Sequence, residues 1–167
     1  TGTKALGNGF GVLFGYSYGG IGQHNTRIGT NSDGVSDAIE RNVISGNGRG
    51  IVMDLSSFTL VAGNYIGTDA TGTLAIGNGD GISILGHDNT IGGPTASARN
   101  LISGNGTGIG ISGTGAYHNV VAGNYIGTDV TGTVALGNTG DGIHIDSATN
   151  NTIGGITAAN SSTGASN

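Results

Sequence analysis

Short apolar stretches recur along the chain, separated by corners rich in glycine, asparagine, aspartate and threonine. The clearest set is GVLFG, GIVMD, GISIL, GIGIS and GIHID, at residues 11–15, 50–54, 81–85, 108–112 and 142–146. Two apolar positions align throughout the set, namely Val12, Ile51, Ile82, Ile109 and Ile143, and Phe14, Met53, Ile84, Ile111 and Ile145. The residue between them varies freely. Alternation of period two predicts β-strands with one face buried and the other toward solvent.

Longer segments repeat as well, at intervals near 60 residues. GNYIGTDATGTLAIGN at 63–78 returns as GNYIGTDVTGTVALGN at 123–138, and NVISGN at 42–47 returns as NLISGN at 100–105. A finer unit of about 30 residues is marked by Asn25, Thr59, Asn89, Asn119 and Asn151. Each unit carries three apolar stretches, and no stretch shows helical periodicity. We therefore expect an all-β parallel β-helix of about five turns with three short strands per turn, spanning 1–155 and followed by a tail or partial cap at 156–167.

The corners explain the asparagines. One asparagine ends the second strand of every turn, and these residues are predicted to stack as a hydrogen-bonded ladder: Asn8, Asn47, Asn78, Asn105 and Asn138. Counting back from these residues, one column of the second strand runs Ala5, Ile44, Ala75, Ile102, Ala135, and its neighbour runs Leu6, Ser45, Ile76, Ser103, Leu136. Either column could point inward. In both, large and small residues alternate between successive turns, which predicts a closely packed core.

These motifs resemble the parallel β-helix repeats of the pectate-lyase-like superfamily. They are more similar to large secreted bacterial repeat proteins that carry NVISGN, GNYIGTDATGT and NTIGG units, most of which lack a defined activity. The resemblance covers residues 1 to about 155 and implies a right-handed coil, as parallel crossovers also favour. It further implies that an active member would use clustered aspartates, or calcium with an arginine or lysine base.

Composition narrows the function classes. The 167 residues include 37 glycines, one proline and no cysteine, and only 9% are charged. Five cations against ten carboxylates give a net charge of −5, which disfavours a nucleic-acid partner. No disulfide framework or thiolate metal site is possible, and no apolar run reaches the roughly 20 residues of a membrane span. No cofactor is predicted.

Asp69 and Asp129 are the first candidates for chemistry, because they recur two turns apart, about 9.6 Å by strand spacing, near the upper limit for an inverting carboxylate pair. The alternative is that both make Asx-type corner turns. Tyr65 and Tyr125 recur in the same way and could stack on sugar rings, or could simply pack a corner. Arg41 and Arg99 also recur, which marks them as repeat elements and disfavours a singular lyase base.

His87, Asp88 and His118 lie near one corner in adjacent turns, which raises a metal-site hypothesis. His24 aligns with His118 but lies three turns away. Surface histidines in solvent are the alternative interpretation, and no metal site or catalytic residue is assigned.

The sequence therefore predicts a non-catalytic structural or adhesive module of a secreted or cell-surface protein. Thr1 begins inside a repeat unit and neither end carries a recognisable cap, so the chain is expected to be part of a longer array or a subunit that stacks end to end on its own copies. A polysaccharide-binding or polysaccharide-cleaving β-helix is the alternative.

Overall fold

A computed structural model describes residues 7–14 and 22–155. The predictions that concern Ala5, Leu6, the start of the domain and the tail at 156–167 lie outside these residues. The described chain contains 14 short strands and no helix. Glycine, asparagine and β-branched residues disfavour helices, and the short apolar runs leave room for strands of only two to six residues.

Each passage of the chain around the axis adds one strand to each of three parallel sheets. In chain order the strands are β1 (Phe10–Phe14), β2 (Arg27–Gly29), β3 (Val43–Ile44), β4 (Arg49–Met53), β5 (Leu60–Ala62), β6 (Tyr65–Ile66), β7 (Asp80–Ile84), β8 (Thr90–Gly92), β9 (Leu101–Ile102), β10 (Thr107–Ser112), β11 (Val120–Ala122), β12 (Tyr125–Ile126), β13 (Ile143–Asp146) and β14 (Thr152–Ile153). Sheet 1 has the order β1-β4-β7-β10-β13, sheet 2 β2-β5-β8-β11-β14, and sheet 3 β3-β6-β9-β12. This topology is compatible with a parallel β-helix.

The core consists of columns of apolar residues stacked from turn to turn. In sheet 1 the two columns predicted from the sequence are in register, with Ile51 opposite Ile82 and Met53 opposite Ile84. These four side chains are fully buried. The intervening position faces outward, although Val52 is buried there as well. Stacking like residues lets a chain with few aromatic residues bury a continuous apolar core.

Asparagine side chains form three columns, one at each corner between sheets. The column before sheet 1 contains Asn8, Asn47, Asn78, Asn105 and Asn138, and in it each side-chain amide donates to the Oδ1 of the next asparagine. The column before sheet 3 contains Asn42, Asn64, Asn100 and Asn124. The column before sheet 2 contains Asn89, Asn119 and Asn151.

A central asparagine of these columns has all of its hydrogen-bonding capacity used. Asn78 Nδ2 donates to Asn105 Oδ1 and to the Ile44 carbonyl, both at 2.9 Å. Its Oδ1 accepts from the backbone N–H and the side-chain amide of Asn47, both at 3.0 Å. A buried amide satisfied in this way holds the backbones of consecutive turns together.

The predicted alternation of large and small residues in the second strand is wrong. Sheet 3 pairs Ile44 with Ile66 and Ile102 with Ile126, so isoleucine occupies every turn. Ala75 is bridged in antiparallel fashion to Thr68, because residues 67–77 leave the sheet in a loop and return to it. Counting back from the corner asparagine Asn78 therefore reaches Ala75 in the loop. The residue that stacks on Ile44 is Ile66, in the strand before the loop.

The two-turn period arises from loops whose positions alternate. Between sheets 2 and 3 the connections 30–42 and 93–100 are long, whereas 63–64 and 123–124 are short. Between sheets 3 and 1 the long connections are 67–79 and 127–142. They lie in the turns whose connection between sheets 2 and 3 is short. Equivalent asparagines of sheet 3 are accordingly 22, 36 and 24 residues apart in sequence, and not a uniform 30 or so.

Each corner between sheets 1 and 2 contains a residue with a left-handed backbone. The φ values lie between 54° and 57° at Asn25, Phe58, Asp88, His118 and Asn150. The register places Thr26 opposite Thr59. The sequence alignment of the repeat units, which matched Asn25 to Thr59, was therefore wrong by one residue. Parallel bridges join His24 to Ser57 and Ser57 to His87. His24 is therefore the equivalent of His87 and not of His118.

Candidate functional site

Of the four residues predicted as polysaccharide contacts, the two tyrosines lie on the outer face of sheet 3 and the two aspartates lie in the loops that follow its strands. β6 and β12 begin with Tyr65 and Tyr125, whose side chains point outward because Ile66 and Ile126 point into the core. Asp69 and Asp129 follow in the long loops that leave these strands. Both pairs are related by the two-turn repeat.

Arginine side chains cover the tyrosine rings, which the sequence analysis did not predict. The Arg41 guanidinium lies 4.1 Å from the centroid of Tyr65, and that of Arg99 lies 4.2 Å from the centroid of Tyr125. Arg41 Nε donates to the Gly63 carbonyl at 3.3 Å, and Arg99 Nε donates to the Gly123 carbonyl at 3.0 Å. Each cation is therefore held by a ring below it and by a backbone carbonyl at its side.

The loop 67–79 also packs closely against Tyr65. Gly72 lies so close that a Cβ on it would be 3.0 Å from the Tyr65 ring and 2.9 Å from Leu101. Tyr65 is only 8% exposed as a result, while Tyr125 is half-buried. A sugar stacked on the face of Tyr65 would have to displace either the guanidinium or the loop. This geometry favours the corner-packing interpretation of the tyrosines, and their contact with sugar stays a prediction.

Asp69 and Asp129 hold their loops closed. Asp69 Oδ2 accepts from Thr71 Oγ1 at 2.7 Å, and its Oδ1 accepts from the backbone N–H groups of Thr73 and Leu74. The Thr71 hydroxyl and then these amides keep the pKa of Asp69 below its ordinary value of 3.8, against the opposing effect of burial. Asp69 is 7% exposed.

The second loop repeats this arrangement. Asp129 Oδ1 accepts from Thr131 Oγ1 at 2.6 Å and from the backbone N–H of Val134 at 3.3 Å. The Thr131 hydroxyl is the main group that lowers the pKa of Asp129. The two loops also contact each other, since Val130 N–H donates to the Gly72 carbonyl at 3.0 Å. Ionised carboxylates surrounded by donors suit a structural turn better than proton transfer.

A second polar cluster lies at the corner between sheets 1 and 2, where His87, Asp88 and His118 come together as the sequence predicted. His87 Nδ1 lies 2.8 Å from Asp88 Oδ2, and His118 Nδ1 lies 3.7 Å from Asp88 Oδ1. The rings of His87 and Tyr117 stack with their centroids 4.6 Å apart. Across the described residues, however, no three histidine, cysteine or acidic side chains are arranged to hold a metal ion.

Two grooves lie on the outer faces of the other sheets. A groove of ≈ 260 Å³ over sheet 1 contains the Arg49–Asp80 ion pair, 3.3 Å long, together with His144. His144 also pairs with Asp141 at 2.9 Å. A wider groove of ≈ 630 Å³ over sheet 2 has a floor of Leu60, Thr90, Val120 and Thr152.

Comparison of the chain with protein-family models, with curated proteins and with solved structures gave no match. Within residues 7–14 and 22–155 the structure contains no helix with the length and apolar character of a membrane span. The repeat geometry and the side-chain contacts are therefore the observations from which function can be inferred.

Proposed function

We propose that the chain is a non-catalytic structural module: a right-handed parallel β-helix of about five turns that serves as a rigid spacer or adhesive element of a secreted or cell-surface protein. The observation that carries this proposal is that the recurring polar side chains are engaged in contacts within the chain. Asp69 and Asp129 close loops, Arg41 and Arg99 cover tyrosines, and the asparagines join turns. The right hand follows the general preference of parallel crossovers.

The module further assembles end to end, with turns of its own kind as partner, either in a longer chain or in a second copy. β13 and β14 lie at the ends of sheets 1 and 2, and Ile145 and Ile153 are 45% and 41% exposed there. The equivalent residues one turn earlier, Ile111 and Val121, are fully buried. An added turn would cover these isoleucines and pair with the edges of β13 and β14, on which no strand of residues 7–14 and 22–155 lies.

Light scattering and electron microscopy over a wide concentration range test the assembly. We expect rods that lengthen with concentration, and we expect Ile145→Lys to shorten them because a charge would be buried at the junction. Leu74→Lys is the matched control, since Leu74 is exposed on a lateral loop. A monodisperse particle of 16.2 kDa at every concentration would contradict self-assembly.

The alternative of polysaccharide cleavage is tested separately, with assays for uronate lyase activity and for new reducing ends, with and without calcium. The structural proposal predicts no turnover. Turnover that disappears in Asp69→Asn or Asp129→Asn would overturn it.

A further inference from the structure

Every Asn–Gly dipeptide of the chain lies in the asparagine column before sheet 1. The dipeptides are Asn8–Gly9, Asn47–Gly48, Asn78–Gly79 and Asn105–Gly106. The fold needs both residue types there, because the asparagine side chains join the turns and the glycine backbones pass very close to one another. A Cβ on Gly48, Gly79 or Gly106 would lie 2.2 to 2.8 Å from the carbonyl oxygen of the glycine one turn earlier.

Asn–Gly is also the dipeptide most prone to deamidation, because glycine has no Cβ to hinder ring closure. The glycine backbone nitrogen attacks the asparagine Cγ and forms a C–N bond, and the side-chain nitrogen leaves as ammonia with the proton of the glycine nitrogen. Water then opens the resulting succinimide ring and gives aspartate or isoaspartate. The attack requires a glycine N–H without an acceptor and an asparagine side chain that can turn toward it.

The three inner dipeptides meet neither requirement. The N–H groups of Gly48, Gly79 and Gly106 donate to the asparagine carbonyls one turn earlier at 2.8, 3.0 and 2.9 Å. The asparagines that precede these glycines are at most 8% exposed. Turning the Asn78 side chain toward Gly79 would break every hydrogen bond of its buried amide. The inner sites can therefore react only after local unfolding.

Asn8–Gly9 differs in both respects. Asn8 and Gly9 are exposed, and Asn8 Nδ2 makes a single bond, at 3.4 Å to Asn47 Oδ1, which is the longest side-chain bond of this column. Among residues 7–14 and 22–155 the Gly9 N–H has no acceptor, and β1 has a neighbouring strand on one side only, β4. Gly9 nitrogen and Asn8 Cγ are therefore available to each other.

We propose that Asn8–Gly9 is a site of spontaneous deamidation in the folded chain, and that a turn laid on β1 stops the reaction. In the inner turns the asparagine carbonyl one turn earlier holds the glycine N–H, so a further turn of the same kind would supply that acceptor to Gly9. This second part rests on the proposed end-to-end assembly. The product has a carboxylate in place of the amide, so the donor to Asn47 Oδ1 is lost and two acceptors face each other.

Peptide mapping by mass spectrometry of the full chain, incubated folded at mildly alkaline pH, tests the site. Cleavage after lysine and arginine separates the four asparagines into peptides 5–27, 42–49, 50–99 and 100–167. We expect Asn8 to convert at least about tenfold faster than the inner asparagines, and all four to convert at similar rates in urea. Equal rates in the folded chain would overturn the proposal. A faster Asn8 in urea would also overturn it, because local sequence and not the fold would then set the rate.

Gly9→Ala is the matched control, because a Cβ on Gly9 would meet nothing within 4 Å. The variant should fold normally, as shown by an unchanged thermal melt, and deamidation at Asn8 should largely stop. An unchanged rate at Asn8 would show that water hydrolyses the amide directly and that the Gly9 nitrogen takes no part.

The effect of a covering turn is measured at a concentration at which light scattering shows rods. Asn8 should convert more slowly in the parent chain than in Ile145→Lys, whose rods are expected to be shorter. Equal rates in the presence of rods would overturn this second part. If no rods form, end-to-end assembly and the second part fail together, while the peptide map of the folded chain still decides whether Asn8 is the reactive site.

Discussion

At the residue scale, Asp69 and Asp129 make the stability of their loops depend on pH. Their pKa values are lowered in the folded chain, so the stabilisation they provide is fully present above the unfolded value of 3.8 and is lost as the pH falls through the folded values. The double variant Asp69→Asn/Asp129→Asn should therefore melt several degrees lower than the parent chain at neutral pH. The difference should narrow below about pH 3.8.

Thermal melts from neutral pH to about pH 2 check this prediction. Asp146→Asn is the control, because the exposed Asp146 carboxylate accepts a hydrogen bond only from the neighbouring Ser147 hydroxyl among the described residues. A difference between the double variant and the parent chain that stays constant with pH would show that the loops do not depend on the ionised carboxylates.

Phe58 and Leu55 are large apolar residues that adopt the left-handed backbone region, and Phe58 has asparagines at equivalent positions. Phe58 has a φ of 54° and is 60% exposed, whereas the equivalent residues Asn25 and Asn150 tolerate the left-handed region. Phe58→Asn should raise the free energy of unfolding by about 1 kcal/mol, as measured by denaturant titration. Phe10→Asn, in the extended strand β1, should not stabilise the chain. A destabilised Phe58→Asn would indicate that the ring makes a packing contact that outweighs the backbone strain.

At the scale of the element, the long loops pack against sheet 3 through glycine. Gly72 has a φ of 71°, and a Cβ there would be 2.8 Å from the Val130 Cβ. Gly72→Ala should therefore cost about 2 to 4 kcal/mol, the sum of left-handed strain and overpacking. Gly113→Ala isolates the strain, since φ is 86° and nothing lies within 4 Å of the added Cβ, and should cost about 1 kcal/mol. Chemical denaturation compares the two, and equal costs would contradict close loop packing.

The strands of sheet 1 could be predicted from the sequence, because apolar residues recur at fixed offsets from a glycine in every turn. The strands of sheet 3 could not be predicted, because two residues are too few to show a periodic pattern. The long loops beside these strands also change position from one turn to the next. Ala75 and Ile44 therefore appeared equivalent when counted from the corner asparagine, although Ile44 pairs with Ile66.

The candidate site was predicted in part. The recurrence of the tyrosines and aspartates two turns apart was predicted, and the structure places Tyr65 and Tyr125 in equivalent strands of sheet 3. Their contact with a polysaccharide stays a prediction. The pairing of the tyrosines with Arg41 and Arg99 was missed, because a cation–π contact joins adjacent turns and leaves no local pattern. One signal was present: both arginines recur with the same two-turn period as the tyrosines.

At the scale of the whole molecule, each turn contacts only its neighbours, so stability should vary along the axis. In sheet 1 Ile84 and Ile111 are fully buried, but the equivalent residue of the last described strand, Ile145, is 45% exposed. Amide hydrogen exchange in β7 and β10 should be at least about tenfold slower than in β13 and β14. NMR or mass spectrometry measures the rates. Uniform protection along all 14 strands would show that the stack unfolds as one cooperative unit.

The asparagine columns also give the molecule a direction. In all three columns the side-chain amide donates toward the C-terminal turns, as from Asn47 to Asn78 and from Asn64 to Asn100. A plane cut across the axis therefore leaves the Nδ2 donor of one asparagine and a backbone carbonyl, such as that of Ile44, on the N-terminal piece, and the Oδ1 acceptor and Nδ2 donor of the next asparagine on the C-terminal piece. Head-to-tail contact restores all of these bonds, because it repeats the geometry between consecutive turns. A fibre built on these columns would be vectorial, with chemically distinct ends.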